Sequence, residues 1–275
     1  MNESSLAQTQ QFWNRPGAGQ FYDLQFKNGI GWYTNETEIQ PLLDLIKDAR
    51  GKKILDVGCG TGRHLARFHA DNELYGIDGS DEMLVIAQKT NPKANLKRAL
   101  AEELPFDSNT FDFVYSIRVL QHLRNQEQAI REMIRVTKPG GKIIVVNYNS
   151  WSLLNLYKHL RMSGFGRILN IPFKLILKDR SFFGPWGFAY DNYTSIPELK
   201  KMMNQNGATA EVFWGLSSAM PWFLNDFFVG KIFQKLIPPI FRFYLKMCLF
   251  FDRYIARLFP FKYFTDLVLV SGRKK

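Results

Sequence analysis

The residues Ile54-Leu55-Asp56-Val57-Gly58-Cys59-Gly60-Thr61-Gly62-Arg63-His64 read as an apolar strand, a glycine-rich turn and the start of a helix. Gly58 and Gly60 open backbone torsions closed to other residues and let a ligand approach the main chain. A turn of this kind between strand and helix suits a nucleotide or nucleoside. Its spacing separates the candidates. A dinucleotide turn is G-x-G-x-x-G, with the third glycine packing helix on strand near a pyrophosphate. Here the pattern is G-x-G-x-G, and Arg63 stands where that third glycine would fall, which disfavours a dinucleotide. Asp78 follows 20 residues after Gly58. A carboxylate there accepts hydrogen bonds from both ribose hydroxyls; the alternative role is a cap for the helix after Gly79-Ser80.

Few other side chains offer chemistry. His122 either serves as a general base, its ordinary pKa lying near neutrality, or orients a loop. His64 reads as part of a helix surface. Trp13 and Tyr22 either close over a ligand from the N-terminal segment or pack in the core. No cluster of His and carboxylates suggests a bound metal. Cys59 and Cys248 lack CxxC spacing, which argues against a zinc site or disulfide framework and fits a reducing cytoplasm.

These residues need a scaffold, and the hydrophobic pattern supplies one. Residues 6–14 and 36–49 read as amphipathic helices, joined by an aromatic link (Phe21, Tyr22, Trp32, Tyr33). Strands are predicted at Ile54–Val57, Leu74–Ile77, Phe111–Ser116 and Lys142–Asn147, with helices from about Arg63, over Glu82–Gln88 and over Gln126–Val136. Pro139-Gly140-Gly141 reads as a turn before the last of these strands. Alternating strands and helices imply parallel pairing and a doubly wound α/β sheet. Further on, Ser195–Asn206 has the cap residues of a helix, and Thr209–Trp214 and Thr265–Ser271 read as strands. The chain divides into an N-terminal helical segment (1–50), a core (51–150) and a C-terminal part (151–275).

Of 275 residues, 46% are hydrophobic and 22% charged, ordinary values that exclude wholesale disorder. The charge is unevenly placed. Residues 1–150 hold 18 basic and 18 acidic side chains, and residues 151–275 hold 18 basic and 7 acidic, so the second part carries the whole +11. The polar N-terminus lacks the apolar region of a signal peptide, and no apolar run reaches transmembrane length. A cytoplasmic protein, soluble or peripheral on the inner membrane face, is expected.

With these motifs in view, the chain resembles the class I S-adenosylmethionine-dependent methyltransferases, in the broad subgroup acting on quinones, sterols and small molecules. LDVGCGTG (55–62), GIDGSDEML (76–84), AEELPFDSNTFDFVYS (101–116) and RVTKPGGKIIV (135–145) carry the likeness in order and spacing. The resemblance implies a Rossmann-like, mostly parallel seven-stranded sheet with an antiparallel last strand, and S-adenosylmethionine as cofactor. It implies that Asp56 and Gly58, Cys59, Gly60, Thr61 and Gly62 hold the amino-acid end, and Asp78 the ribose. Gly79, Ser80 and Met83 would flank the adenine, Ala101 and Glu102 would meet its edge, and Ser116 to Arg118 would lie beneath the methionine portion. One departure stands out: Leu100 replaces an aspartate that relatives usually place there.

Methyl transfer from a sulfonium needs alignment and desolvation, and a base only when the acceptor must lose a proton. Ser116-Ile117-Arg118-Val119 differs from the Asn/Asp-Pro-Pro-aromatic tetrad of amino-methylating DNA enzymes, and no Pro-Cys nucleophile for cytosine is present. Oxygen or carbon methylation of a hydrophobic small molecule (a quinone, polyketide or lipid-linked precursor) is the leading expectation. A soluble sugar or metabolite acceptor, or a non-catalytic binding role, is the alternative.

Two long stretches, 149–193 and 216–264, would form the acceptor pocket. The first carries Trp151, Phe165, Phe173, Phe182, Phe183, Trp186 and Tyr190. In the second, Ile240–Phe259 is a predicted helix on which Arg242, Lys246, Arg253 and Arg257 make a basic stripe. Such a helix either lies on an anionic membrane or packs on the domain or a second copy. No motif supports nucleic-acid binding.

Overall fold

The computed structural model describes residues 11–26, 29–47, 49–152, 155, 192–216, 238–255, 257–258 and 261–275. The aromatic residues predicted between 165 and 190 therefore lie outside the described residues. Seven strands build one sheet: β1 (Lys53–Val57), β2 (Glu73–Asp78), β3 (Asn95–Arg98), β4 (Phe111–Ile117), β5 (Thr137–Tyr148), β6 (Ala208–Leu216) and β7 (Leu267–Lys274). Their spatial order is β3-β2-β1-β4-β5-β7-β6. The first five pair in parallel, and β7 runs antiparallel between β5 and β6. The doubly wound sheet with an antiparallel last strand is present.

The helices lying wholly among the described residues are α1 (Ala18–Gln25), α2 (Gly29–Leu45), α3 (Asp81–Thr90), α4 (Gln126–Val136), α5 (Ile196–Gln205) and α6 (Pro238–Tyr254), and residues 11–14 are helical as well. Successive strand residues face opposite sides, and both sides are covered. Leu55, Val57, Val114, Ile143 and Val145 pack with Ile130 and Met133 of α4 and Leu199 and Met203 of α5. Ile54, Tyr115, Ile117, Ile144 and Val146 pack with Ile39 and Leu42 of α2. Two buried faces explain why these strands read as continuous apolar runs. The α5 boundaries follow from its capping box, in which Ser195 and Glu198 satisfy each other's backbone N–H.

Several predicted elements differ. The helix expected from Arg63 is a single 3-10 turn, Leu65–Arg67, after which Phe68 takes extended backbone and sets its ring 5.6 Å from Tyr115. The aromatic link is itself helical: Phe21 and Tyr22 lie in α1, and Trp32 and Tyr33 in α2. Strand β3 escaped notice because NLKR is a polar four-residue edge strand. Pro139-Gly140-Gly141 is not a turn before β5 but lies inside it, at a register shift against β4 where Gly140 adopts φ 72°.

Candidate cofactor site

Strand β1 delivers the glycine turn to the carboxyl edge of the sheet, the edge at which open α/β folds bind ligands. Gly58, Gly60 and Gly62 all adopt positive φ (79°, 52° and 72°), which strains any residue with a Cβ. The turn is anchored to β2, because the N–H groups of Gly58 and Cys59 both donate to the Ile77 carbonyl at 2.8 Å. A Cβ at Gly58 would lie 2.2 Å from Val119 Cγ2, whereas one at Gly60 would meet only the Tyr22 ring, at 3.9 Å. The Gly60 edge of the turn is thus its approachable one.

Two carboxylates flank the turn. Tyr115, paired with Asp56 across β1 and β4, donates its hydroxyl to Asp56 Oδ2 at 2.9 Å. Burial pushes the Asp56 carboxyl up to about 7, against the lowering influence of that hydrogen bond. Asp78 ends β2 and accepts from the N–H groups of Gly60 and Ser80, each at 2.9 Å. Burial raises its carboxyl too, and backbone N–H donors oppose the rise. A carboxylate has about four acceptor positions, so Asp78 braces the turn and retains capacity for ribose hydroxyls.

The N-terminal segment lies over this edge. Ser80 caps α3 through the Met83 N–H at 3.4 Å and donates its hydroxyl to the Trp13 carbonyl at 2.8 Å. The Trp13 ring stands edge-on to Tyr22 at 5.5 Å and to His122 at 6.1 Å. Trp13, Tyr22 and His122, separated in sequence, are neighbours here.

Beneath Tyr22 sits a charge cluster that the motifs did not reveal. Glu38 of α2 is fully buried, with Arg63 Nη2 at 2.5 Å, Arg118 Nε at 2.8 Å and His64 Nε2 at 3.5 Å. Burial alone would raise its carboxyl; the guanidinium groups of Arg118 and Arg63 outweigh burial and hold it well below the carboxylate range. Arg118 also donates to the hydroxyls of Tyr22 and Tyr148, both at 3.2 Å. It does so from φ 55°, a costly conformation for a residue with a side chain. Arg63 further bonds Asn35 and lies 4.0 Å over the Phe26 ring. The residue that replaces the third glycine of a dinucleotide turn therefore ties the turn to α2. His64, expected on a surface, is buried, and burial lowers its pKa to about 4, with Arg63 acting in the same direction.

The remaining predicted residues are placed as follows. Met83 and Ala101 are buried and Glu102 is half-buried. Leu100 is exposed, with its Cδ2 3.8 Å from where a Gly79 Cβ would stand, so an apolar surface borders Gly79. Cys59 packs its sulfur toward Gly76, and burial raises its thiol well above the usual range. Ser116 is buried, its hydroxyl donated to the Val57 carbonyl at 2.9 Å. His122 ends a 3-10 turn, its Nε2 3.1 Å from Gln121 Nε2.

A sulfonium nucleoside fits these residues. The buried Thr61 hydroxyl has no hydrogen-bond partner among the described residues, the Gly60 and Gly79 edges leave room for a ligand, and Asp78 stands between them.

Residues 55–145 match a family described as a methyltransferase domain. The chain is 32% identical to a demethylmenaquinone methyltransferase of Staphylococcus aureus, over 58% of this chain and 68% of that protein. It is 36% identical to a ubiquinone/menaquinone biosynthesis C-methyltransferase of Idiomarina loihiensis, over 36% of this chain, and spans less than half (44%) of that relative's length. In architecture it is similar to Haemonchus contortus phosphoethanolamine N-methyltransferase 2 in complex with S-adenosyl-L-methionine. The TM-score is 0.61 at 17% identity, covering 96% of this chain and 59% of the other.

Proposed function

Because the chain belongs to the class I S-adenosylmethionine-dependent methyltransferases, we propose that it methylates an oxygen or carbon atom of a hydrophobic small molecule of quinone, polyketide or lipid-linked type. Bound S-adenosylmethionine supplies an activated methyl group. The glycine turn and Asp56 would hold its amino-acid end, Asp78 its ribose, and Gly79, Ser80, Met83 and Ala101 its adenine. Leu100 would offer that ring an apolar neighbour, and Glu102 would meet its edge. Ser116 to Arg118 and the turn would form the floor beneath its methionine portion, and the acceptor would rest beside it.

The observation that carries the acceptor class is the aromatic wall over that floor. Trp13, Tyr22 and Phe26 come from the N-terminal segment, and Tyr148 stacks on Tyr193 at 5.3 Å. Flat apolar surfaces of this kind exclude water and align a planar ring. The names of the quinone-methylating relatives support the same class. His122, beside Trp13, would take a proton from an acceptor hydroxyl. A lipid-soluble acceptor would be met at the cytoplasmic membrane surface, and no described helix is long and apolar enough to cross a membrane.

The test is transfer of labelled methyl from S-adenosylmethionine to a short-chain demethylmenaquinol, with a panel of soluble sugars as comparison. Label in the quinol product supports the proposal. Label only in a sugar, or tight cofactor binding with no transfer to any apolar acceptor, overturns it.

A further inference from the structure

Helix α6 turns an apolar stripe to solvent. Phe241, Leu245, Cys248 and Asp252 are its buried residues, and Phe241, Leu245 and Cys248 cluster with Tyr33 of α2. At about 100° per residue the four occupy an arc of roughly 60°. On the far side, Ile240, Phe243, Met247, Phe250 and Tyr254 recur at spacings of three and four and are each 52–65% exposed. They share an arc of about 80°. Single exposed apolar residues need no explanation, whereas a continuous row of five large ones marks a surface with a partner.

Charge selects the partner. Arg242, Lys246 and Arg253 line one flank of the stripe. The sole acid of the helix, Asp252, is buried, with the Tyr33 and Thr37 hydroxyls bonded to its carboxylate. Every exposed charge on α6 is therefore positive. Packing two such stripes together would bring basic flanks into proximity, and nucleic acid would meet Phe and Met where it needs donors. An anionic bilayer satisfies both features: the stripe enters the acyl boundary while Arg and Lys stems reach back to phosphate. Pro238, Pro239, Arg242, Phe243 and Lys246 frame a depression at the start of the helix, where a lipid phosphate would meet two cations.

We infer that α6 lies in the plane of an anionic membrane, with Ile240, Phe243, Met247, Phe250 and Tyr254 embedded and Arg242 and Lys246 at the headgroups. This deepens the proposed function and rests on it for the purpose of docking, which is access to a lipid-soluble acceptor. It also reassigns the basic stripe. Arg253 and Arg257 approach Asp44 of α2 at 3.4 and 3.6 Å, and Arg257 lies 4.1 Å over the Trp214 ring. The apolar row, rather than all four cations, is the principal contact.

The experiment is co-sedimentation of the full chain with phosphatidylcholine vesicles, with and without phosphatidylglycerol, at low and high salt. The chain should sediment with phosphatidylglycerol vesicles. Phe243→Asp combined with Met247→Asp and Phe250→Asp should weaken binding at least ~10-fold at both salt levels, because apolar burial is not screened. Arg242→Glu with Lys246→Glu should abolish the preference for phosphatidylglycerol. Calorimetry with S-adenosylmethionine should be unchanged in both variants, since none of these residues lies near the glycine turn. Met247→Trp gives a reading independent of how the triple variant folds: its emission should shift to the blue on anionic vesicles. Equal sedimentation of the triple variant, no sedimentation of the unmodified chain, or a dimer that the triple variant splits would each overturn the inference. Loss of cofactor binding with vesicle binding intact would instead count against the enzymatic reading and leave the docking surface supported.

Discussion

Replacing Glu38 with Gln keeps the side-chain shape and removes one charge, which makes it a sharp test of the cluster beneath Tyr22. Glu38 has no exposed side-chain surface, and its partners Arg63 and Arg118 expose 10% and 14% of theirs. The substitution leaves two guanidinium groups largely desolvated without their counter-charge. Breaking a buried ion pair from one side costs about 3–5 kcal/mol, because the remaining charge is uncompensated. At roughly 2–4 °C per kcal/mol for a chain of this size, the melting temperature should fall by about 6–20 °C. Urea denaturation should show the loss in the midpoint with little change in slope. Adding Arg118→Met should cost less in the Glu38→Gln background than in the unmodified chain, the sign of a coupled pair. S-adenosylmethionine affinity should also fall, because Arg118 and Arg63 fix the floor and the turn. A loss below about 0.5 kcal/mol, the range of ordinary surface substitutions, would refute the reasoning.

Gly58→Ala places a Cβ 2.2 Å from Val119 Cγ2 at φ 79°, so it should destabilise by at least ~2 kcal/mol. Adding Val119→Ala should recover the steric part in thermal melts, though not the torsional part. Asp78→Asn should weaken S-adenosylmethionine binding in calorimetry by about 10-fold or more, equivalent to about 1.4 kcal/mol per decade. Unchanged affinity would count against its ribose role. The pKa of His64 falls from an ordinary 6.5 to about 4, so the unfolded chain takes up its proton first. Its contribution is complete above pH 6.5 and is lost as pH falls toward 4, about 3 kcal/mol in all. Asp56, raised from 3.8 to about 7, acts oppositely: its contribution is present below 3.8 and lost as pH rises through 7. Denaturation midpoints from pH 4 to 7 should therefore lose their acid-side fall in His64→Gln and their neutral-side fall in Asp56→Asn.

The glycine turn, Asp78 and six of the seven strands were legible because their signals are local. A strand with both faces buried writes an unbroken apolar run, and a turn that needs positive φ writes glycines. What escaped depends on distant partners. Glu38 is one acid in a helix until Arg63 and Arg118, far along the chain, converge on it. His64 was expected at a surface because the helix predicted to carry it would have faced solvent; the single 3-10 turn leaves it buried against Glu38. Strand β3 has neither apolar run nor alternation. On α6 the sequence offered a basic stripe on an otherwise apolar helix, and only the packing of α2 decides which apolar residues are covered.

That role of α2 links the two ends of the molecule. One side of the helix presents Glu38 to the glycine turn and to Arg118. Another presents Tyr33 and Thr37 to Asp252 of α6, and Asp44 holds Arg253 and Arg257. The first two contacts are polar groups buried against α2, and such groups tolerate little displacement before a partner is lost. A shift of α6 relative to α2 that opened the Tyr33–Asp252 contact would cost the buried Asp252 carboxylate a hydrogen bond beside Asp266, whose own carboxyl burial and Asp252 already raise to about 7. The cost of that lost hydrogen bond resists such a shift. Helix α6 and the glycine turn are thus held in fixed relation by one intervening helix. Under the proposed function, an acceptor entering from the α6 side would meet a floor at Arg118 whose position is already set.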